Sequence, residues 1–119
     1  TLVMFEKTFK RTFIHVDDMA RAIIYAMENY DKMKNNTYNV GGDFNNFNKE
    51  EIALMIKDKI DYYLHFAEFG EDEDKRNYEV SYKKINDAGF HIQKTVEEGI
   101  SELIQACPAL DSRNQYKNV

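Results

Sequence analysis

The alternation of hydrophobic and polar positions changes period several times along the chain. Thr12 to Val16 (TFIHV) is rich in β-branched and aromatic residues and reads as a short strand. Asp17 follows as an N-cap carboxylate, and Asp18 adds favourable charge to the first turn. Met19, Ala20, Ile23, Ile24 and Met27 then fall on one face of a helix that runs to about Tyr30, and that face is expected to meet the core. Asp31 to Asn36 is polar and turn-like. Thr37 to Val40 (TYNV) reads as a second strand, stopped by Gly41 and Gly42. Asn48 with Glu51 forms a capping-box pattern before Ile52, Met55, Ile56 and Ile60, the inner face of a second helix. Tyr62 to Phe66 (YYLHF) is a third strand candidate, and Glu68 to Asn77 a charged loop.

Ser81 can cap a short helix over Tyr82 to Ala88, closed by Gly89 as its C-terminal glycine. Thr95 with Glu98 is a second capping box, opening a helix with the stripe Val96, Ile100, Leu103 and Ile104 that Pro108 ends. Strands alternate with helices, the pattern of an α/β fold with some parallel pairing. Residues 1–110 read as one domain or a portion of one, and 111–119 as a polar tail.

Composition narrows the function classes. The net charge of −5 argues against a general affinity for nucleic acid or anionic membranes, which require basic surfaces. No apolar run approaches the roughly 20 residues of a membrane span. Cys107 is the single cysteine, which excludes a disulfide framework and a zinc cluster and points to a reduced, cytoplasmic setting. The first residue is Thr1, which fits either a trimmed initiator methionine or a piece of a longer chain.

Candidate chemistry is sparse. Arg11, in a cluster with Lys7 and Lys10, has a planar fork suited to phosphate or carboxylate, or is a solvated arginine at a strand edge. His15, Asp17 and Asp18 could form a metal site, but with Asp17 used as a cap the plainer reading is a histidine packed beside a capped helix. The acidic run Glu71 to Asp74 lacks the spacing of a calcium loop. Tyr30 and Lys34 make a YxxxK at a frayed helix end, more economically a chance pairing than a catalytic one. GxGxxG, GxxxxGK[ST] and GxSxG are all missing. The residues alone assign no catalytic, cofactor or metal site.

Three blocks in order carry a resemblance: RTFIHVDDMARAI (11–23), TYNVGG (37–42), and DKRNYEVSYKKINDAGF (74–90) followed by TVEEGISELI (95–104). Together they resemble the C-terminal part of the NAD-dependent epimerase/dehydratase family, extended short-chain dehydrogenases that act on nucleotide sugars. The resemblance implies an α/β substrate-binding portion without the Rossmann half. That half holds NAD or NADP and the catalytic YxxxK, so the chain alone is expected to bind no cofactor and to be inactive. It further implies that Arg11 lies against the substrate's nucleotide diphosphate, and that Arg76 and its neighbour Asn77 help to grip the same group. The expected parent is an isomerase or lyase with an internal oxidoreductase step. Its expected partners are a nucleotide sugar and the N-terminal Rossmann half, and an oligomer is compatible with the pattern.

The alternative is a non-catalytic binding or interaction module derived from the same family, and a weaker one is a metal-binding protein using the acidic loop. A helix face left with a large exposed apolar patch would count against the module, because such a patch marks a surface that is normally covered.

Overall fold

The computed structural model describes residues 1–5, 7–67 and 77–109. Nine elements follow in order: β1 (Leu2–Met4), β2 (Lys10–Thr12), α1 (Val16–Glu28), α2 (Tyr30–Met33), β3 (Asn46–Asn48), α3 (Lys49–Lys57), β4 (Leu64–Phe66), α4 (Lys83–Asp87) and α5 (Val96–Ala106). Short 3-10 turns lie at Asp43–Asn45 and Cys107–Ala109. The α/β class expected from the alternating pattern is borne out.

The strands form two small ladders. β1 pairs parallel with β4, Leu2 opposite Leu64 and Met4 opposite Phe66. β2 pairs antiparallel with β3, Arg11 opposite Phe47. The first expected strand therefore starts earlier and stops at Thr12, leaving Phe13 to His15 as the link into α1. The expected strand at 37–40 has no ladder partner among the described residues. Its inward residues Tyr38 and Val40 nevertheless pack on the core.

Both capping boxes form. Asn48 accepts the Glu51 amide at 2.8 Å and Glu51 accepts the Asn48 amide at 2.7 Å; Thr95 and Glu98 do the same for α5. Gly89 has φ +105°, the conformation that ends α4 without a β-carbon penalty. Ser81 lies one position before the N-cap of α4, which is Tyr82, and its hydroxyl is 3.5 Å from the Lys83 amide.

The core gathers Ala22, Tyr82, Ile85, Phe90 and Ile92, with Ile14, Tyr25, Tyr38, Val40 and Val80 around it. The paired glycines are part of this packing. A β-carbon on Gly41 would come within 2.5 Å of the Tyr82 ring, and one on Gly42 within 2.8 Å of Ile92.

Two expectations for α1 are corrected. Its N-cap is His15, whose Nδ1 accepts the Asp17 amide, so Asp17 is not the cap. Its inward face is Asp18, Ala22, Tyr25 and Ala26, not the apolar stripe. Val16 is 76% exposed, Ile23 57%, Ile24 54% and Met27 72%. The reason is local. Asp18 is drawn inward by two backbone amides, and the small Ala22 lets the helix approach Tyr82 and Phe90 closely. That rotation turns the larger apolar residues outward.

Candidate functional site

Arg11 sits in the middle of β2, half-buried, in register with Phe47. Its Nη1 donates to the Lys10 carbonyl at 2.9 Å. The Lys10 amide donates to Asn77 Oδ1 at 3.1 Å. Arg11 and Asn77, distant in sequence, are thus brought to the same residue of the same strand. Lys10 Nζ lies 3.7 Å from Glu79 Oε1, an exposed pair that reinforces the approach of the 77–79 segment only weakly. Arg76 lies outside the described residues, as does the acidic run at 71–74.

What orients this strand was not visible in the sequence. Asp18 is fully buried. Its oxygens accept the Gln93 amide at 3.1 and 3.0 Å, the Lys94 amide at 2.8 Å, and a bond from Arg21 Nη1. Asn45, also buried, donates from Nδ2 to the Lys94 carbonyl at 2.9 Å and accepts the Val96 amide at 3.1 Å. The Asn45 carbonyl accepts the Phe13 amide at 3.1 Å. Asp18 and Asn45, the latter through both its side chain and its backbone carbonyl, clamp the 93–96 segment to α1 and to the β2–α1 link. The HVDD run offered a hint of Asp18; nothing marked Asn45 among the asparagines around it.

Glu102 extends the network on the surface. Lys94 Nζ donates to Glu102 Oε1 at 2.6 Å, and His15 Nε2 lies 2.9 Å from Glu102 Oε2. The hydrogen bond from Lys94, then that from His15, lowers the Glu102 pKa, and the same Glu102 contact raises that of Lys94. Glu98 is lowered by the Thr95 amide and then its hydroxyl. A groove of about 370 Å3 runs along this side, lined by Lys59, Lys94, Thr95, Glu98 and Ser101 among others.

Asp18 points inward while Asp17 is solvent-exposed, so His15, Asp17 and Asp18 do not converge; among the described residues no group of three metal-ligating side chains could hold an ion. The Lys34 ammonium is paired with Asp31 at 2.7 Å, and Tyr30 is exposed. No helix among the described residues is long and apolar enough to cross a membrane.

A basic strand, Lys10–Thr12, thus leads into the capped helix α1, and the distant Asn77 reaches that strand. Residues 1–41 match the NAD dependent epimerase/dehydratase family. Vestitone reductase of Medicago sativa is 33% identical over 96 residues, covering 79% of this chain and 28% of that protein. The fold is similar to a GDP-D-glycero-L-gluco-heptose synthase of Campylobacter jejuni solved with NADPH (TM-score 0.73, 23% identity, 89% of this chain, 32% of that one). It is also similar to the GDP-mannoheptose C4 reductase of Campylobacter jejuni with NADP bound (TM-score 0.72, 24% identity, 89% of this chain, 34% of that one). A GDP-6-OMe-4-keto-L-xylo-heptose reductase of the same organism gives a TM-score of 0.75 at 22% identity, over 92% of this chain and 34% of that one.

The resemblance to the NAD-dependent epimerase/dehydratase family is thereby borne out, and the chain has the fold of part of an extended short-chain dehydrogenase. It spans 28% of the curated relative and about a third of the solved structures.

Proposed function

We propose that this chain is the substrate-binding portion of an NAD(P)-dependent enzyme acting on a nucleotide sugar, with Arg11 holding the nucleotide diphosphate. The observation that carries the reading is the meeting of Arg11 and Asn77 at Lys10. A guanidinium presents N–H donors in a rigid fork that matches phosphate oxygens, and a strand held on both edges fixes its direction. Such a grip orients the sugar for hydride transfer without entering the chemistry. Arg76, next to Asn77, completes the grip. The GDP-heptoses named for the similar structures support a nucleotide sugar, and the reductases named among the relatives support hydride transfer. Reduction is therefore favoured over the epimerisation or dehydration expected from the family.

Nicotinamide cofactor and catalytic residues would come from a Rossmann half covering α1. Two features support such a partner. The apolar face of α1 (Val16, Ile23, Met27) is exposed, and the strand-like 37–40 segment beside the core lacks a ladder partner among the described residues. One covering sheet would satisfy both. The same exposed face weighs against a self-contained binding module. The lone Cys107 fits a cytoplasmic enzyme.

The test is calorimetric titration of GDP and UDP sugars into the whole protein and its Arg11→Ala variant. Loss of one charge-assisted hydrogen bond, about 1.5–3 kcal/mol, predicts binding weaker by about 10- to 100-fold. Unchanged affinity would remove Arg11 from the site.

A further inference from the structure

The imidazole of His15 stands where the β2–α1 link, α1 and α5 meet. Nδ1 accepts the Asp17 amide at 3.2 Å and caps α1. Nε2 is 2.9 Å from Glu102 Oε2 on α5. The side chain is 15% exposed, and its Cδ2 is 3.4 Å from where a β-carbon on Gly99 would stand, so the ring lies against a glycine of α5. A ring nitrogen that accepts from an amide carries no proton, so in the neutral ring the proton is on Nε2 and is donated to Glu102. Glu102 is itself held by Lys94 Nζ, and the Lys94 amide donates to Asp18 of α1. The hydrogen bonds close a ring between α1 and α5.

We propose that His15 is a pH-operated latch: neutral, it caps α1 and ties it to α5; protonated, it releases the Asp17 amide. The second proton has one place to go, the Nδ1 lone pair that makes the cap. The charged groups facing the ring then take over. Asp17 Oδ2, on α1, is 3.7 Å from Nδ1. Glu102, on α5, stays at Nε2, with the Lys94 ammonium on its other oxygen. Glu98, one turn earlier on α5, is engaged by Thr95. Protonation therefore exchanges a backbone cap for an ion pair with Asp17, and the Asp17 amide, the second of α1, loses its acceptor. The cap is present above the imidazole titration and lost below it. Because β2 runs straight into this turn, the proton acts on the chain just downstream of Arg11.

The experiment is an NMR titration of the whole protein, labelled with nitrogen-15 at histidine and aspartate, from about pH 8 to about pH 5, the span in which imidazoles change charge. At the alkaline end the His15 nitrogens are expected to show the Nε2–H tautomer. On acidification the Asp17 amide resonance should move with the same midpoint as the His15 ring, and its protection from solvent exchange, taken relative to the intrinsic amide rate at each pH, should fall by about fivefold, the scale of a lost cap. In His15→Asn, where a carboxamide oxygen keeps the cap without a titrating group, the Asp17 amide should stay in place over that span. An Nδ1–H tautomer at the alkaline end would overturn the latch. So would an Asp17 amide that moves only with carboxylates near pH ~4, or that moves equally in His15→Asn.

Discussion

Asp18→Ala offers the sharpest test of how the 93–96 segment is held. The carboxylate is fully buried and accepts the Gln93 and Lys94 amides as well as Arg21. Its removal strands two amide donors that are directed at a fully buried position. At about 1–3 kcal/mol for each orphaned donor the loss centres on ~4 kcal/mol, a large share of the 5–15 kcal/mol typical of a domain. With a urea slope near 2 kcal/mol/M, the unfolding midpoint should fall by about 2 M at unchanged slope. Asp18→Asn keeps one acceptor oxygen and sets an NH2 group against the remaining donors, so it should lie between the two. Arg21→Ala is the control. Arg21 is 39% exposed, so its pair with Asp18 is screened, and about 1 kcal/mol is expected from it, with ~0.5–1 kcal/mol more from its position over Phe90. If Asp18→Ala costs no more than Arg21→Ala, Asp18 is a surface ion pair and the backbone clamp is refuted.

Other expectations follow from the same packing. Asn45→Ala breaks the bonds to Lys94 and Val96 and should lower stability by ~2–3 kcal/mol, read as a melting temperature lower by about 8–12 °C. Gly41→Ala would drive a methyl into the Tyr82 ring, and a loss of about 1–3 kcal/mol in urea unfolding is expected; a neutral result would mean that the ring moves freely. Ile23→Glu, on the exposed face of α1, should leave the melting temperature of this 119-residue chain within about 2 °C but weaken an enzyme in which that face is covered; equal tolerance in both would argue against a covering half.

Stability should also bend at both ends of the pH scale. Glu98 and Glu102 titrate below their ordinary value of 4.5, so their contribution is complete above it and fades as pH falls through the lowered values. Lys94 titrates above 10.5, so its share is complete below that and is lost as pH rises further. Urea midpoints measured against pH in Glu102→Gln should lose part of both slopes.

Local chemistry determined a good deal of this protein. The capping boxes at Asn48 and Thr95 and the terminating Gly89 involve residues within a few positions of each other, so the sequence alone placed the starts of α3 and α5 and the end of α4. The α/β class and the family resemblance follow from the order of such local units. Arg11 could be singled out for the same reason, since its block is contiguous.

The tertiary structure decided whatever depends on contacts distant in sequence. Amphipathicity says that α1 has an apolar stripe but not what the stripe meets; the pull of the Gln93 and Lys94 amides on Asp18 turned it outward. The composition of 37–40 suits a strand, but a strand exists only with a ladder partner. The cap of α1 passed from Asp17 to His15 because the imidazole, lying against Gly99 and reaching Glu102, occupies the position that faces the Asp17 amide. Asn77 came to Lys10 through a hydrogen bond spanning 67 positions, which no local periodicity encodes.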